Sequence, residues 1–530
     1  MTALDTPCDP VEALRRLAAE PAEHSLWRDA LTRYLRFQDL LGQPRPAAAG
    51  SSRQALIRLV RTIEALPARF LGGASPAQAI ADISRMAASV PAEAQAALLG
   101  TLVAALSPIE ALDLVSTDAL FSEAELELIA QLKALLPAAR RRLPTFQWAG
   151  GKDVDYEGYV CTIVKVTRQC NLRCGYCSDW RSGPEAKMKF EVIAQTIARI
   201  LGCASHNRVD FVWHGGEPTL IGRRDFLRIL SLQRRFMAAG QRLDNILQTN
   251  ATAITEEWAM FLSDFGFSVS VSLDGPAEIH DRARPMASGF SSYRAVRKGL
   301  ALLQRHQLAE GVLMVVGDEV LGMGAERLLR FFQEEGLTKV ALLAQRPANP
   351  PTASSDYLSP RRYATFLVDM HRARLASPGP WVALREVDNL LELFRGKMPS
   401  LCEHLGNCVG HYFSVEPNGD VGHCDKYSGD PEYTLGNVMQ DSFDEIRASS
   451  RVTRLRDEAE RSREPMKTCR HYDKCRGWCP HERYVAKRVQ LGVAGKCCGL
   501  GPMFDALEQL EAPAAREHAT EGLLTNTINA

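Results

Sequence analysis

The sequence has no excess of either charge and no long apolar run. Both absences reduce the number of protein classes to which it could belong. Its 530 residues include 63 Lys and Arg against 63 Asp and Glu, so it presents no general basic field for nucleic acid or an anionic membrane. The longest apolar run, near 95–107, is shorter than the roughly 20 residues of a membrane-spanning helix. The N-terminus is acidic and lacks the apolar segment of a signal peptide. We therefore expect a cytoplasmic protein that binds neither nucleic acid nor membrane.

Fourteen cysteines in a chain without a secretion signal are better explained as metal ligands or redox groups than as disulfides. Eleven of them fall in two regions, 170–177 and 402–498. The other three, Cys8, Cys161 and Cys203, stand alone, and we interpret them as ordinary buried side chains. The chemistry is thus expected in the two clustered regions.

The residue pattern and composition change along the chain, and these changes suggest domain boundaries. Residues 1–148 alternate helical patterns with Pro, Gly and Ser breaks, which predicts an all-helical accessory domain. Residues 349–400 are predicted as a helical linker. Cysteines, glycines and short strand-like pieces over 401–511 predict a small domain stapled by metal, followed by a polar tail at 512–530.

Between 155 and 348, short apolar runs alternate with amphipathic stretches of helical length. This alternation predicts an α/β core with a parallel sheet buried on both faces. Periodicity alone fits an open doubly wound sheet or a partial barrel, and in either fold functional groups lie at the C-terminal ends of strands. The six predicted strands are 161–167, 208–216, 245–250, 267–275, 311–317 and 339–345. The motifs CNLRCGYC, GGEP, QTN and SLDG follow the first four strands.

The segment CNLRCGYC places three thiols, of Cys170, Cys174 and Cys177, in a C-x3-C-x2-C spacing. A structural zinc site closes with four ligands, and no fourth Cys or His follows nearby, the nearest candidate being His214. We interpret the group as a [4Fe–4S] site with three thiolate ligands. Its fourth iron would then be open to a small-molecule chelate.

With Tyr176 before its last cysteine, this spacing resembles the signature of the radical S-adenosylmethionine (SAM) superfamily. The resemblance covers about 160–345 and implies a partial (β/α)6 TIM barrel. It also implies that SAM chelates the open iron and is cleaved to a 5′-deoxyadenosyl radical, which abstracts a hydrogen atom from the substrate. A reductant such as flavodoxin or ferredoxin is a further implied partner.

Three further segments resemble the SAM-binding elements of that superfamily. In GGEP, the resemblance implies that Glu217 holds the SAM amino group while the glycines allow close backbone approach. QTNAT resembles the family's QTNGT, with Ala251 in place of the usual Gly. In SLDGP and the HDRAR that follows, Ser272 would contact the ribose and Arg284 the SAM carboxylate. The predicted SAM-binding residues are Tyr176, Gly215, Gly216, Glu217, Pro218, Asn250, Ser272, Asp274 and Arg284.

The second cysteine region resembles the SPASM extension of peptide- and protein-modifying radical SAM enzymes, which binds two auxiliary [4Fe–4S] clusters. Zinc is the alternative ligand for such thiols. The first auxiliary set implied by the resemblance is Cys402, Cys408, Cys424 and Cys479.

The second auxiliary set departs from the family pattern, because Met466 stands where a cysteine is usual. The remaining thiols are those of Cys469, Cys475 and Cys497, with Cys498 adjacent. A thioether is a poor iron–sulfur ligand. Three outcomes are therefore open: Cys498 or the nearby Asp473 substitutes, one iron stays open, or the cluster is not fully assembled.

Asp425 directly follows Cys424, at the place where anaerobic sulfatase-maturating enzymes carry an Asp that is thought to accept the substrate proton. The resemblance implies a catalytic base, and we expect partial burial beside a negatively charged cluster to raise its pKa. A turn or capping Asp is the alternative.

The leading hypothesis is a maturase that oxidises a side chain of a ribosomally made precursor peptide or cross-links it through a thioether or C–C bond. The first alternative is formylglycine formation on a sulfatase. It is supported by Asp425 and QTN, and opposed by CSDW, where those maturases usually have an aromatic pair, and by the helical region that they lack. A non-enzymatic iron–sulfur carrier or scaffold would need the cysteines but not GGEP, QTN or SLDG.

Overall fold

The computed structural model describes ten parts of the chain. They are 112, 117–136, 158–180, 187–238, 241–309, 311–347, 357–397, 401–406, 408–488 and 496–510. Most of the predicted helical domain at 1–148, together with Cys8 and the predicted tail at 512–530, lies outside these residues. Among the described helices, none combines the length and apolarity that a membrane crossing requires.

Helices and strands alternate through the middle of the chain, as the sequence predicts. The helices are α1 (Glu123–Ala134), α2 (Phe190–Gly202), α3 (Arg223–Phe236), α4 (Glu256–Asp264), α5 (Ala277–Ala283), α6 (Tyr293–Arg305), α7 (Asp318–Met323), α8 (Ala325–Glu334), α9 (Pro360–Ala376), α10 (Arg385–Phe394), α11 (Phe443–Ala448), α12 (Ser450–Arg463), α13 (Tyr472–Cys475) and α14 (Pro480–Arg488). The strands are β1 (Tyr159–Thr167), β2 (Arg208–Gly215), β3 (Arg242–Thr249), β4 (Ser268–Ser272), β5 (Gly311–Val316), β6 (Lys339–Ala344), β7 (Ala383–Leu384), β8 (Tyr412–Val415), β9 (Asp420–His423) and β10 (Thr434–Asn437).

The chain divides into two compact units. The first consists of Met1–Leu136, Gly222–Met237 and Met260–Gly266, and the second contains the remaining residues. Within the first unit, Ser122 and Glu125 form a capping box at the start of α1, and Arg228 of α3 pairs with Glu125. All predicted site residues belong to the second unit.

The strands of the second unit form one sheet in the order β10-β9-β8-β1-β2-β3-β4-β5-β6-β7. From β1 to β7 every neighbouring pair is parallel and follows chain order. A doubly wound sheet would instead reverse its order after a central strand. The prediction of a partial (β/α)6 barrel with six core strands is therefore confirmed.

Four short strands extend the sheet beyond the six predicted strands, β7 on one edge and β8, β9 and β10 on the other. β7 pairs with β6 through Ala383 and Leu384, inside the segment predicted as a helical linker. That prediction was wrong at this strand, because two residues are too few to show a period of two. On the other edge, β8 pairs with β1 in parallel and begins the cysteine-rich C-terminal region. The C-terminal region thus continues the same sheet.

The core of the second unit is built on the strands β1 and β2, most of whose residues are buried. Phe211 and Trp213 of β2 are fully buried and stack at 5.4 Å between ring centroids. The Trp213 indole N–H donates to Asn245 Oδ1 of β3 at 2.8 Å, so the buried nitrogen is satisfied. Cys161 and Cys203 are both buried, as predicted.

Candidate active site

The loop that carries the first three cysteines follows β1 directly and is held by backbone bonds to a distant segment. The Arg173 N–H donates to Pro285 O at 2.8 Å, and the Gly175 N–H donates to Ala283 O at 3.0 Å. The Leu172 N–H donates to Cys170 Sγ at 3.4 Å. Both backbone acceptors lie at the end of the HDRARP segment that follows SLDG, so this segment holds the cysteine loop.

The glycines of GGEP allow the end of β2 to pack against the same loop. A Cβ on Gly216 would lie 2.1 Å from Gln169 O, and a Cβ on Gly215 would lie 2.2 Å from Thr167 O. Gly215 also has φ +117°, a backbone conformation that favours glycine. Both positions therefore require glycine because of the backbone just before Cys170.

Glu217 is fully buried, and its carboxylate ties the ends of β2 and β3 together. Oε1 accepts hydrogen bonds from the N–H and hydroxyl of Thr219 and from the Thr249 hydroxyl. Oε2 accepts one bond, from the Asn250 N–H at 2.7 Å. Burial raises the pKa of Glu217 in spite of these bonds. Oε2 accepts only this one bond, but the carboxylate does not line the cavity described below, so its contact with the SAM ammonium stays a prediction.

The QTN and SLDG motifs meet at the ends of β3 and β4. Asn250 donates to Asn171 Oδ1 at 2.9 Å, and Gln248 donates to Ser272 Oγ at 3.0 Å. Ala251 has φ +57° and so adopts the left-handed conformation that the family's usual glycine reaches more easily.

Arg284 forms a two-bond ion pair with Asp274, with distances of 2.8 Å from Nε to Oδ2 and 3.2 Å from Nη2 to Oδ1. The Tyr176 hydroxyl also donates to Asp274, and the Arg284 guanidinium lies 5.3 Å from the Tyr176 ring centroid. Burial alone would lower the pKa of Arg284, but Asp274 outweighs it and raises that pKa well above its ordinary value. Arg284 is therefore a permanent buried cation beside the cysteine loop.

One cavity of about 330 Å³ brings together ten of the thirteen residues that comprise the first cysteine group, the predicted SAM-binding residues and Asp425. Its lining includes Cys170, Cys174, Tyr176, Cys177, Gly215, Gly216, Asn250, Ser272, Arg284 and Asp425. Three predicted residues, Glu217, Pro218 and Asp274, are buried behind this lining rather than on it.

Four residues that the predicted site set omitted surround Asp425. Lys165 of β1 lies beside His214 of β2 in register, and its Nζ lies 2.9 Å from Asp425 Oδ1. Lys165 also pairs with Asp179, the acidic residue of CSDW, and lies 3.6 Å from Glu416 Oε1. The signal in the sequence was a single lysine inside the apolar strand CTIVKVT, since a buried lysine requires acidic partners.

The expectation of a raised pKa for Asp425 is wrong. Burial acts in that direction, but Lys165 and His214 outweigh it and hold the pKa of this carboxyl well below its usual range. Asp179, His214 and Asp425 also bring ligand atoms within 4.8 Å of one another. Because Lys165 already places its ammonium against two of these carboxylates, we assign the group as a charged network rather than a metal site.

The four thiols of the predicted first auxiliary set come together in the C-terminal region. Burial raises the pKa of the Cys402 thiol well above its usual value, and the nearby Cys408, Cys424 and Cys479 raise it further. Lys426 Nζ lies 3.7 Å from Cys479 Sγ. Cys479 is buried and the other three cysteines are half-buried. Four neighbouring thiols that repel one another when ionised form a ligand set for a metal or cluster.

The remaining four thiols form a separate group that includes Cys498. Cys469 lies beside Cys497, Cys497 beside Cys498, and Cys498 beside Cys475, each close enough to influence the ionisation of the next. All eight C-terminal cysteines are free of disulfides, as predicted. Met466 is 2% exposed, so it is a buried side chain.

The residues fit the cofactors that the sequence resemblance implies. Three thiols on one loop border a cavity whose volume lies in the range of small-molecule sites. The same cavity offers the Arg284 cation and the Asn250 amide for a polar ligand, and two groups of four thiols lie in the C-terminal region. Iron–sulfur clusters with thiolate ligands match these sets.

Comparisons with known proteins agree with this geometry. Residues 164–332 match the model of the radical SAM superfamily, and residues 402–476 match SPASM, an iron–sulfur cluster-binding domain. A cysteine-type anaerobic sulfatase-maturating enzyme from Clostridium perfringens is 30% identical over 353 residues, which cover 65% of this chain and 94% of that protein. A serine-type anaerobic sulfatase-maturating enzyme from Bacteroides thetaiotaomicron is 28% identical over 348 residues, covering 61% and 82%.

Solved structures show the same likeness. Native anSMEcpe with bound AdoMet has a TM-score of 0.59 and 25% identity, covering 68% of this chain and 99% of that chain. Native anSMEcpe with bound AdoMet and Kp18Cys peptide has the same TM-score and 26% identity, with the same coverage.

Proposed function

The chain belongs to the radical SAM superfamily, in the branch that carries a SPASM domain and includes the anaerobic sulfatase-maturating enzymes, and on that premise we propose that it oxidises a cysteinyl or seryl side chain of a polypeptide to an aldehyde. The observation that carries the proposal is the position of Asp425, whose carboxylate lines the same cavity as Cys170, Cys174 and Cys177. A base beside the radical site suits a substrate that must lose both a hydrogen atom and a proton.

When bound at the three thiols, SAM and its cluster supply a radical that removes one hydrogen atom from the substrate carbon. Asp425 would accept the proton of the adjacent thiol or hydroxyl, and the one electron that remains would pass to a cluster held by the C-terminal thiols. With a seryl substrate this gives the aldehyde directly, whereas with a cysteinyl substrate water would hydrolyse the thioaldehyde to the aldehyde and release sulfide. Lys165 keeps this carboxylate ionised and oriented, because its ammonium lies 2.9 Å from Oδ1. Asp425 is 34% exposed, so a substrate side chain has access to it from the cavity.

Different residues of the site would position different groups of SAM. Arg284 would bind the SAM carboxylate while Asp274 keeps its guanidinium in place. Glu217, which is buried behind the cavity lining, would act indirectly by holding the ends of β2 and β3 in place through the hydrogen bonds that its carboxylate accepts. Ser272, which lines the cavity, would contact the ribose.

A second candidate is oxidation or cross-linking of a ribosomally made precursor peptide. The observation that favours it is the length of the chain, because the matched segment spans 94% of the C. perfringens enzyme but only 65% of this protein. The additional residues, which include the predicted helical domain at 1–148, would then bind the peptide outside its modified residue.

The test uses full-length protein, reconstituted anaerobically with iron and sulfide and supplied with dithionite and SAM. Peptides of one sulfatase-type sequence would carry Cys, Ser or Ala at the target position. We expect 5′-deoxyadenosine and a hydrazide-reactive aldehyde on the Cys or Ser peptide, with the Ala peptide unchanged. Loss of two hydrogens without hydrazide reactivity would favour the second candidate. SAM cleavage with no modification of either reactive peptide would contradict the first.

A further inference from the structure

We propose that two adjacent cysteines, Cys497 and Cys498, both ligate the second auxiliary cluster and complete its ligand set without Met466. The set would be Cys469, Cys475, Cys497 and Cys498, a four-thiolate site of the kind that closes an iron–sulfur cluster. Cys498 thereby replaces the ligand that the usual cysteine at position 466 supplies in the family.

The first support is the contact between the thiols themselves. Each thiol lies close enough to the next to influence its ionisation: Cys469 to Cys497, Cys497 to Cys498, and Cys498 to Cys475. Cys498 is thus the residue that connects the other two thiols to Cys475. Cys475 and Cys498 are buried, while Cys469 and Cys497 are half-buried, so the four sulfurs form one partly enclosed group.

The second support is the backbone around these thiols. The Gly477 N–H donates to Cys475 Sγ at 3.4 Å, and the Gly499 N–H donates to Cys497 Sγ at 3.3 Å. Amide N–H groups directed at sulfur stabilise thiolates and are a common feature of iron–sulfur sites. Both donors are glycines with φ near +80° to +91°, and Arg476 beside Gly477 is also left-handed. The backbone therefore turns sharply two residues after Cys475 and directly after Cys498.

Two consecutive ligands must lie outside an extended strand, as Cys497 and Cys498 do. In an extended strand, neighbouring side chains point to opposite faces and cannot share one cluster. Here Gly499, with φ +91°, follows Cys498 immediately, and a Cβ on Gly501 would lie 3.4 Å from Cys497 Sγ. The chain therefore folds back over the Cys497 sulfur directly after the pair.

The other candidates for the fourth ligand fit less well. The Asp473 side chain is 64% exposed and pairs with Lys474 at 3.4 Å. Met466 lies in a short 3-10 helix, where its carbonyl accepts the Cys469 N–H at 2.9 Å. The Met466 carbonyl would thus help to fix the position of Cys469, while the apolar Met466 side chain is buried in the protein interior.

The test is the iron content of the full-length protein after anaerobic reconstitution. Three complete clusters correspond to about twelve irons per chain. We expect about twelve in the wild type and in Met466→Leu, and about eight in Cys498→Ala. Cys203→Ala is the matched control, since it removes a buried thiol outside both auxiliary sets and should leave iron unchanged. Wild-type iron in Cys498→Ala, or iron loss in Met466→Leu, would overturn the proposal.

A spectroscopic measurement on the wild type tests the proposal without any substitution, so its result does not depend on whether a variant folds. The ⁵⁷Fe Mössbauer spectrum should contain one iron site per chain without full thiolate coordination, the site whose signal shifts on addition of SAM. A second such site, or about eight irons in the wild type, would contradict the four-thiolate set. These measurements need no peptide, so their outcome is independent of the proposed substrate.

Discussion

The ammonium of Lys165 lies 2.9 Å from the Asp425 carboxylate and links it to the Asp179 carboxylate. The contact joins the first core strand, the segment after the radical SAM cysteines and the SPASM domain at one buried point. Lys165 is only 2% exposed, so its charge depends on these partners rather than on water. The predictions below begin with this lysine.

Replacement of Lys165 by Met should lower the free energy of unfolding by about 3–5 kcal/mol, because it leaves buried carboxylates without their cation. The measurement is urea unfolding under anaerobic conditions. Lys467→Met is the matched control, since Lys467 is 42% exposed and pairs only with Glu460 and Glu464. Its pairs lie at the surface, where solvent screens them, so their loss should change the free energy of unfolding much less. Equal losses in the two variants would show that the buried network is not stabilising.

Asp425→Asn should separate SAM cleavage from product formation. The amide keeps the size of the side chain but cannot accept the substrate proton, so product formation should fall about 10²- to 10⁴-fold. Production of 5′-deoxyadenosine should continue, because the SAM-facing residues are intact. The exposed Asp473→Asn is the control and should retain product. Full product yield from Asp425→Asn would remove this residue from the mechanism.

Gly216→Ala should abolish SAM binding and destabilise the first cluster. A Cβ there would lie 2.1 Å from Gln169 O, in the backbone that leads into Cys170, so the cysteine loop must move. Gly175→Ala offers a control within the same loop, because its Cβ would meet no atom within 4 Å. Equilibrium SAM binding and iron content can be compared for the two proteins. Unchanged SAM affinity in Gly216→Ala would mean that the loop tolerates the displacement.

Cys174→Ala should stop 5′-deoxyadenosine formation while the absorbance of the auxiliary clusters remains. Its thiol lines the SAM cavity, whereas the SPASM thiols form separate groups. Iron content should fall by about four per chain. Cys203→Ala should retain both SAM cleavage and iron. Continued cleavage of SAM by Cys174→Ala would reject the three-thiolate assignment.

Much of the fold was predictable because it depends on local patterns. The apolar runs at 161–167 and 339–345 correspond closely to β1 and β6, since strand periodicity arises from backbone geometry. The two-residue strand β7 was missed, because its pairing with β6 is set by tertiary contact rather than by a repeating pattern. The raised pKa expected for Asp425 was wrong for a similar reason: its neighbour Lys165 lies 260 residues away in the sequence.

The sequence by itself determined the superfamily, the six-strand core and the ligand candidates, because these are encoded in spacings of a few residues. Only the tertiary structure decided which distant groups meet. It placed Lys165 between Asp179 and Asp425, and it brought Cys498 into contact with Cys475. Such contacts depend on how the sheet and its loops close in space, so no short stretch of sequence contains them. The unusual Met466 is understood in the same way, as a packing residue beside a thiol set completed from elsewhere in the chain.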